Sequence, residues 1–244
     1  MAKYRYHQLF GRDPKIRPHL PDTAICSLQT VKSFLAKYNT VYIKPNVGGR
    51  GEGVIKAWKL MNGGIAYVIE RGAPNYCATP EELYRKLGLA NKKRHVIQRG
   101  LQLAEYQGRK YDIRLMMIRS PKRVWQYAGM LAKTAGAGSI ITNIARGHGN
   151  VIEIDTALSA SHSYQARRIK DQMLHIAYRC NRMFDRLRYE WQMGYDFAVD
   201  TSGKVWLIEA NPGNPAHTLF AKLRDKTLYR NIKQACRAYK RANQ

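Results

Sequence analysis

The sequence lacks any long hydrophobic run, and it contains few cysteines. No stretch of 18 apolar residues occurs in the 244-residue chain, so no transmembrane helix and no membrane partner are expected. The first 20 residues are basic and have no apolar centre, which argues against a signal peptide and favours a cytoplasmic location. The four cysteines follow no CxxC or zinc-ribbon spacing, which favours reduced, mostly buried thiols.

Acidic residues are also scarce. Asp and Glu together number 17, against 42 Lys and Arg, and the formal net charge is +25. Such a surplus biases encounters toward polyanions, namely nucleic acids, anionic membrane surfaces, nucleotides and acidic substrates. The hydrophobic content of 45% is ordinary for a globular protein and predicts a folded core.

Short strands joined by turns outnumber strand–helix alternations along the chain. This pattern predicts an α+β fold in two lobes, with antiparallel hairpins. The first 22 residues are expected to be extended, and a strand is expected over residues 139–144. Helices are predicted from Ser27 to about Tyr38, from Thr79 to Gly88, over about residues 159–193 and over about residues 227–241.

A lysine followed by a glycine-dense loop forms the first candidate site. Lys44 is predicted to lie at the end of a strand, followed by NVGGRGEG. Glycines let backbone N–H groups approach an anion closely, and a lysine adds a compact positive charge, so the segment could hold nucleotide phosphates. It is neither a Walker A loop nor a Rossmann fingerprint, and a flexible hairpin loop with a stray lysine is the alternative.

The second candidate site is the segment GYDFAVDTSGKVWLIEANPGNP. Strand alternation puts Asp196 on one face, and it puts Leu207 and Glu209 together on one face of the return strand. A hairpin with its turn at Asp200 to Lys204 brings Asp196 near Glu209, and Asn211 is expected to point the same way. Two carboxylates and an amide oxygen suit Mg²⁺, whereas a solvated acidic hairpin is the alternative.

Taken in order, three blocks resemble the ATP-grasp superfamily. They are VYIKPNVGGRGEGV, HVIQRGLQL and the Asp196-x₁₂-Glu209-x-Asn211 hairpin. The segments LPDT, YDIRLMM and ITNIARG resemble the YheC/YheD-like branch associated with endospore coats. The resemblance implies two α+β lobes that hold ATP between antiparallel sheets: a basic N-terminal segment (residues 1–26), an N-terminal lobe (27–97) and a C-terminal lobe (98–244).

The resemblance also implies a role for each residue that matches the family pattern. Lys44 would bind the α- and β-phosphates, and Arg114 would stabilise the transferring phosphoryl group, with Lys133 as a second cation. The remaining residues implied are a phosphate lid of Gly49, Arg50 and Gly51, adenine contacts at Gln98, Arg99 and Leu101, Asn143 near metal or phosphate, and Mg²⁺ ligands Asp196, Glu209 and Asn211.

The activity implied is ATP- and Mg²⁺-dependent carboxylate–amine ligation through an acyl phosphate. The carboxylate substrate and the amine nucleophile are not identified by the sequence, and the charge points to an acidic peptide or a nucleic-acid-linked substrate. The chain lacks the N-terminal domain that typical members carry, so a partner subunit or a homodimer is expected to replace it. The alternative is a basic protein that binds nucleic acid or another polyanion and retains an ATP-grasp fold.

Overall fold

The computed structural model describes residues 3–48, 51–90, 95–140, 142, 148–213 and 215–243. The chain forms two compact units. Unit 1 comprises Met1–Gln8, Pro21–Gln102 and Ala135–Gly149, and unit 2 comprises Leu9–Leu20, Leu103–Thr134 and Asn150–Gln244. Residues 98–102 and 135–149, which the sequence assigns to the C-terminal lobe, lie in unit 1.

The N-terminal segment contains a helix, α1 (Lys3–Phe10), so the expectation that it is extended is wrong. Tyr6 and Phe10 are four residues apart and both are buried, which is the spacing of an apolar helix face. The helix ends before Gly11, and prolines follow at positions 14 and 18. The missed signal was therefore this short apolar period, masked by the basic residues around it.

Unit 1 contains a six-stranded antiparallel sheet, two complete helices and the first residues of α1. Its strands are β1 (Thr23–Ile25), β2 (Thr40–Pro45), β3 (Ile55–Lys59), β4 (Ile65–Ile69), β5 (Asn75–Cys77) and β6 (His95–Arg99), in the order β1-β6-β2-β3-β4-β5. The helices are α2 (Leu28–Lys37) and α3 (Pro80–Lys86). Ser27 and Thr30 form a reciprocal capping box on α2, and Thr79 caps α3, so both predicted helix starts are confirmed.

Unit 2 contains a second antiparallel sheet. Its strands are β7 (Glu105–Tyr106), β8 (Arg109–Arg119), β9 (Trp125–Thr134), β10 (Val151–Glu153), β11 (Gln192–Val199) and β12 (Val205–Pro212). The order is β10-β9-β8-β11-β12, and β7 pairs with β8. The interior strand β11, between β8 and β12, is buried along its whole length. The sheets and helices together confirm the predicted α+β class.

The helices of unit 2 are α4 (Ile154–His162), α5 (Ala166–Asp185) and α6 (Thr227–Ala242). A 3-10 turn, Ser163–Gln165, separates α4 from α5. The prediction of one helix over about residues 159–193 is therefore wrong. Two helices cover this region, with a break near residue 163, and the second ends before β11 begins at residue 192. The apolar pattern extended through Leu187, but this side chain is exposed after the helix ends.

Each unit has its own apolar core. In unit 1, Val31 and Leu35 of α2 pack with Ile43 and Ile97 of the sheet. In unit 2, α6 packs on the sheet, and the core there consists of Met116, Ile118, Leu131, Phe220, Leu223, Ile232 and Cys236. No helix among the residues described is long and apolar enough to span a bilayer. Of the strand predicted over residues 139–144, positions 141, 143 and 144 lie outside the described residues, and Ser139 forms an isolated bridge with Arg71.

Candidate functional site

Lys44 lies near the end of β2, and its side chain is directed along the sheet of unit 1. Its Nζ donates a hydrogen bond to Gln98 Oε1 on β6 at 2.6 Å. Gln98 Nε2 in turn donates to Thr23 Oγ1 on β1 at 3.0 Å. These two bonds fix which end of the Gln98 amide faces the lysine, and so they hold the ammonium group in position.

The glycine-rich segment that follows Lys44 returns to the sheet through a fixed turn. Gly53 has a φ of +65°, and its N–H donates to Glu70 Oε1 at 2.7 Å. Gly51 has a φ of +76°, a backbone conformation that favours glycine. Gly49 and Arg50 lie outside the described residues, so Gly51 is the predicted lid residue that the structure places.

Asn46, which the sequence analysis missed, anchors the start of this segment. Its buried Oδ1 accepts a hydrogen bond from Tyr4 N at 2.9 Å, and its carbonyl oxygen accepts one from Lys3 N at 2.8 Å. Lys3 Nζ also donates to the Gly48 carbonyl at 2.5 Å. The first turn of α1 therefore fixes the glycine segment at its base.

The predicted adenine-binding stretch leaves β6 at its C-terminal end. Gln98 pairs in the sheet with both Tyr42 and Thr23, so its backbone is occupied on two sides. Arg99 N donates to Asp22 O at 2.9 Å. Leu101 lies two residues beyond β6, past the last sheet pairing, and is half-buried. The adenine role of all three residues stays a prediction. Leu101 alone among them lies outside the hydrogen-bonded pairing of the sheet.

Charged residues form a row across three neighbouring strands of unit 2. Arg114 on β8 lies opposite Asp196 on β11, and Asp196 lies opposite Glu209 on β12. Residues directly opposite each other in an antiparallel sheet have their side chains on the same face. The sheet thus brings together one predicted cation and two predicted metal ligands.

A β-bulge next to Asp196 corrects one expectation about the hairpin. The register shifts between Asp196 and Phe197, so Phe197 pairs with Leu207 although Asp196 pairs with Glu209. Asp196 and Phe197 are on opposite faces, and their partners Leu207 and Glu209 therefore do not share a face. Glu209 is one residue farther from the turn than Asp196 is, and the bulge accommodates that extra residue. Asp196 and Glu209 therefore lie opposite each other, as predicted.

Asp196 is the centre of this group. Its Oδ1 accepts hydrogen bonds from Arg114 Nε at 2.8 Å and from Lys133 Nζ at 3.0 Å. Its Oδ2 accepts from Arg114 Nη2 and from Asn211 Nδ2, both at 3.1 Å. The carboxylate is buried, and these four bonds use the acceptor positions that a carboxylate offers.

Asp112 lies beside these residues, and the sequence analysis did not identify it. Its Oδ1 is 2.9 Å from Lys133 Nζ, and the two residues lie opposite each other on β8 and β9. Lys133 therefore bridges two carboxylates, Asp112 and Asp196. The available signal was that Asp112 and Arg114 are two apart on one strand and share a face. We call Asp112, Arg114, Lys133, Asp196, Glu209 and Asn211 the charged cluster.

The charges of the cluster support one another's ionisation. Burial alone would raise the pKa of Asp196, but the charges and hydrogen bonds of Arg114 and Lys133 outweigh it and hold that pKa well below its ordinary value. Burial would lower the pKa of Lys133, but Asp112 and Asp196 raise it above its ordinary value. At neutral pH Asp196, Lys133 and Arg114 are thus all ionised.

The donor chemistry of Asp196, Glu209 and Asn211 fits Mg²⁺, because carboxylate and amide oxygens are hard ligands. Asn211 Nδ2 donates a hydrogen bond to Asp196, which leaves Asn211 Oδ1 as a ligand for a metal ion. Among the residues described, no three His, Cys, Asp or Glu side chains form a metal group, and the predicted set has only two carboxylates. Asp196 would have to exchange one of its present partners for a metal.

The structure therefore brings Arg114, Lys133, Asp196 and Asn211 into contact, with Glu209 opposite Asp196. Lys44, Gln98 and Gly51 lie in unit 1, and Lys44 is hydrogen-bonded to Gln98 there. Asn143 lies outside the described residues.

Comparison with known proteins gives a consistent family assignment. The model of the YheC/D like ATP-grasp family matches residues 1–242. Endospore coat-associated protein YheD of Bacillus subtilis (strain 168) is 25% identical over 226 residues, which cover 90% of this chain and 49% of that protein. Endospore coat-associated protein YheC of the same organism is 22% identical over 202 residues, which cover 80% of this chain and 55% of that protein. The chain thus spans about half the length of the curated relatives it matches.

A solved structure gives the same fold. The C-terminal domain of Pby1 from K. lactis, described as an ATP-grasp enzyme interacting with the mRNA decapping enzyme Dcp2, matches with a TM-score of 0.53 and 18% identity. The match covers 95% of this chain and 68% of that one. At this identity the likeness shows the fold alone.

Proposed function

The chain belongs to the YheC/D-like ATP-grasp family, and we propose that it is an ATP- and Mg²⁺-dependent carboxylate–amine ligase that works through an acyl phosphate. The family and fold are those of ATP-dependent, ligase-like enzymes. The observation that supports the finer proposal best is the charged cluster, in which two buried cations converge on Asp196 beside Glu209 and Asn211.

Arg114 and Lys133 are proposed to bind the phosphoryl group as it moves from ATP to the carboxylate of the substrate. A guanidinium presents two parallel N–H donors that match phosphate oxygens, and an ammonium adds a point charge. Such transfer depends mainly on positioning and on charge stabilisation, so it needs no strong general base from the protein. Asp196 and Asp112 would keep the two cations ionised and oriented before substrate arrives.

Asp196, Glu209 and Asn211 are proposed to hold Mg²⁺, which when bound would neutralise charge on the phosphate oxygens of ATP. Lys44, fixed by Gln98, would bind the α- and β-phosphates, and the segment containing Gly49, Arg50 and Gly51 would cover the phosphates. Leu101 would offer its backbone to adenine, next to Gln98 and Arg99, and Asn143 would contact metal or phosphate.

The substrate is proposed to be a carboxylate that is acidic or polymeric, because the chain carries a net charge of +25. Attack of an amine on the acyl phosphate would form the amide bond and release phosphate. Since the chain spans about half the length of its curated relatives, substrate recognition by a further segment, a partner subunit or a second copy is part of the proposal.

Isothermal titration calorimetry with a non-hydrolysable ATP analogue, with and without Mg²⁺, tests the proposal. We expect micromolar binding that requires Mg²⁺ and that weakens at least about tenfold in Glu209→Ala, because a carboxylate ligand of the metal is gone. Glu105→Ala is the matched control, since Glu105 is an exposed carboxylate on β7 of the same unit. Equal affinity with and without Mg²⁺, or full affinity in Glu209→Ala, would count against the proposed site.

A further inference from the structure

Helix α6 divides its residues sharply between core and solvent. Ile232, Cys236 and Tyr239 are buried against the sheet of unit 2. All charged residues of the helix are Lys or Arg, since it contains no Asp or Glu, and they lie on the solvent side. We call its five exposed cations, at three-, four-, three- and one-residue spacing, the basic stripe: Arg230, Lys233, Arg237, Lys240 and Arg241.

Asp225, just before α6, is an acid beside the basic stripe: hydrogen bonds from Thr227 lower its pKa most, and the charge of Arg230 lowers it further. Within the part of the chain that the structure describes, none of the five cations forms an ion pair with a carboxylate. Burial lowers the pKa of His217 most, and the charges of Lys233 and Lys240 lower it further. The stripe is therefore a positive surface whose cations, apart from the influence of Asp225 on Arg230, keep their charge available to a partner.

Aromatic side chains lie beside the C-terminal end of the stripe. Tyr189 is 53% exposed, and its hydroxyl is hydrogen-bonded to the Tyr239 hydroxyl at 2.5 Å. The Trp191 ring stacks on Tyr239 with centroids 5.0 Å apart, and Lys240 Nζ lies 5.7 Å from the Trp191 ring. Tyr189 is thus an exposed ring held in a fixed place by a buried one.

A further cation extends this surface from the turn between β8 and β9. Arg123 Nε donates to Asn243 Oδ1 at 2.7 Å, just beyond the end of α6, and its guanidinium lies 6.0 Å from the Tyr189 ring. The nearby acid Asp185 is already paired with Arg119 and accepts a hydrogen bond from the Trp125 indole. The surface therefore keeps its positive sign around Tyr189.

We propose that the basic stripe, with Arg123 and Tyr189 at its end, binds single-stranded nucleic acid. Cations along a track contact successive phosphates, while an exposed aromatic ring stacks on a base without regard to sequence. The stripe extends over about 17 Å at 1.5 Å per residue, or roughly five nucleotides at a stacked rise of 3.4 Å. This binding is independent of the ligase chemistry. It assigns to one surface of the protein the binding of polyanions that the net charge predicts.

The packing of α6 favours nucleic acid over a lipid surface. A helix that binds in the plane of a membrane buries its apolar face among the lipids. The apolar face of α6 is instead buried in the protein's own core through Ile232, Cys236 and Tyr239. The solvent side offers charge for phosphates and one fixed aromatic ring.

Fluorescence anisotropy with a labelled, unstructured 20-nucleotide RNA, titrated over a range of salt concentrations, tests this inference. About six phosphate contacts, five from the stripe and one from Arg123, predict a slope near −4.2 for log affinity against log salt, and the triple variant Arg237→Gln, Lys240→Gln, Arg241→Gln should reduce it to about −2.1. Tyr189→Ala should weaken binding about tenfold with the slope unchanged, while Tyr189→Phe, which keeps the ring, should retain affinity.

The charge-matched control removes three exposed cations elsewhere, Lys59→Gln, Arg109→Gln and Lys110→Gln, and should change the affinity far less. An equal loss in both triple variants would overturn the inference, because it would mean that net charge alone drives binding. Absence of RNA binding, with stripe-dependent binding to vesicles containing phosphatidylserine, would also overturn it in favour of a lipid surface.

Discussion

The charged cluster and the basic stripe use the same residue types in opposite ways. In the cluster, Arg114 and Lys133 are buried, and each is paired with carboxylates at about hydrogen-bonding distance. In the stripe, every cation is exposed and none pairs with a described carboxylate. A buried cation needs a paired negative charge, because burying an unpaired charge is costly. An exposed cation needs no such pair and can attract an anionic partner. The net charge therefore says nothing about the cluster and much about the stripe.

The largest effect is expected on removing the centre of the cluster. Asp196→Ala leaves two buried cations with too little compensation and should lower the free energy of unfolding by about 3–5 kcal/mol. Arg237→Gln, at an exposed and unpaired site, should change it by less than about 0.5 kcal/mol. Urea unfolding followed by circular dichroism measures both. Similar losses in the two variants would erase the distinction between the regions.

A smaller effect is expected at the edge of the cluster. Asp112→Asn preserves the side-chain shape but takes one of two carboxylates away from Lys133, and should cost about 1–3 kcal/mol of stability. The control is Asp171→Asn. Asp171 is exposed on α5, and its ion pair with Arg167 is long, at 4.0 Å, so its removal should have little effect. If Asp112→Asn were as silent as the control, Asp112 would have no part in holding Lys133.

The smallest effect concerns acid stability. The pKa of Asp196 is held below its ordinary value of 3.8. Its contribution to stability is therefore complete above about pH 4 and is lost as the pH falls through the lowered pKa of the folded state. Between about pH 4 and pH 2.5, wild type should lose roughly 1 kcal/mol more than Asp196→Asn, which has no proton to gain. Parallel pH profiles from urea unfolding would show instead that the carboxylate titrates normally.

Local sequence signals predicted much of the fold. Ser27 and Thr79 marked two helix starts, and the turn at Asp200 to Lys204 marked the hairpin that joins β11 to β12. Each depends on residues close together in the chain. α1 was missed because its apolar face is short, and the long helix was overextended because its period continued past its end.

The candidate site was only partly predictable. The spacing of Asp196, Glu209 and Asn211 placed the carboxylates near each other, but no local pattern indicates the bulge that aligns them. The contact of Lys133 with Asp196 depends on β9, β8 and β11 lying side by side, and β11 is far from the other two in sequence. Such pairing is a property of the strand order, so the contact of Lys133 with Asp196 could not be predicted from the residues near either one in the chain.

A crossed titration tests most directly the claim that the two regions serve different ligands. The ATP analogue with Mg²⁺ and the 20-nucleotide RNA are each titrated into Glu209→Ala and into the Arg237→Gln, Lys240→Gln, Arg241→Gln variant. We predict that Glu209→Ala loses the nucleotide and keeps the RNA, and that the stripe variant does the reverse. Loss of both ligands in one variant that remains folded, or retention of the nucleotide in Glu209→Ala, would contradict this division of the protein's charge.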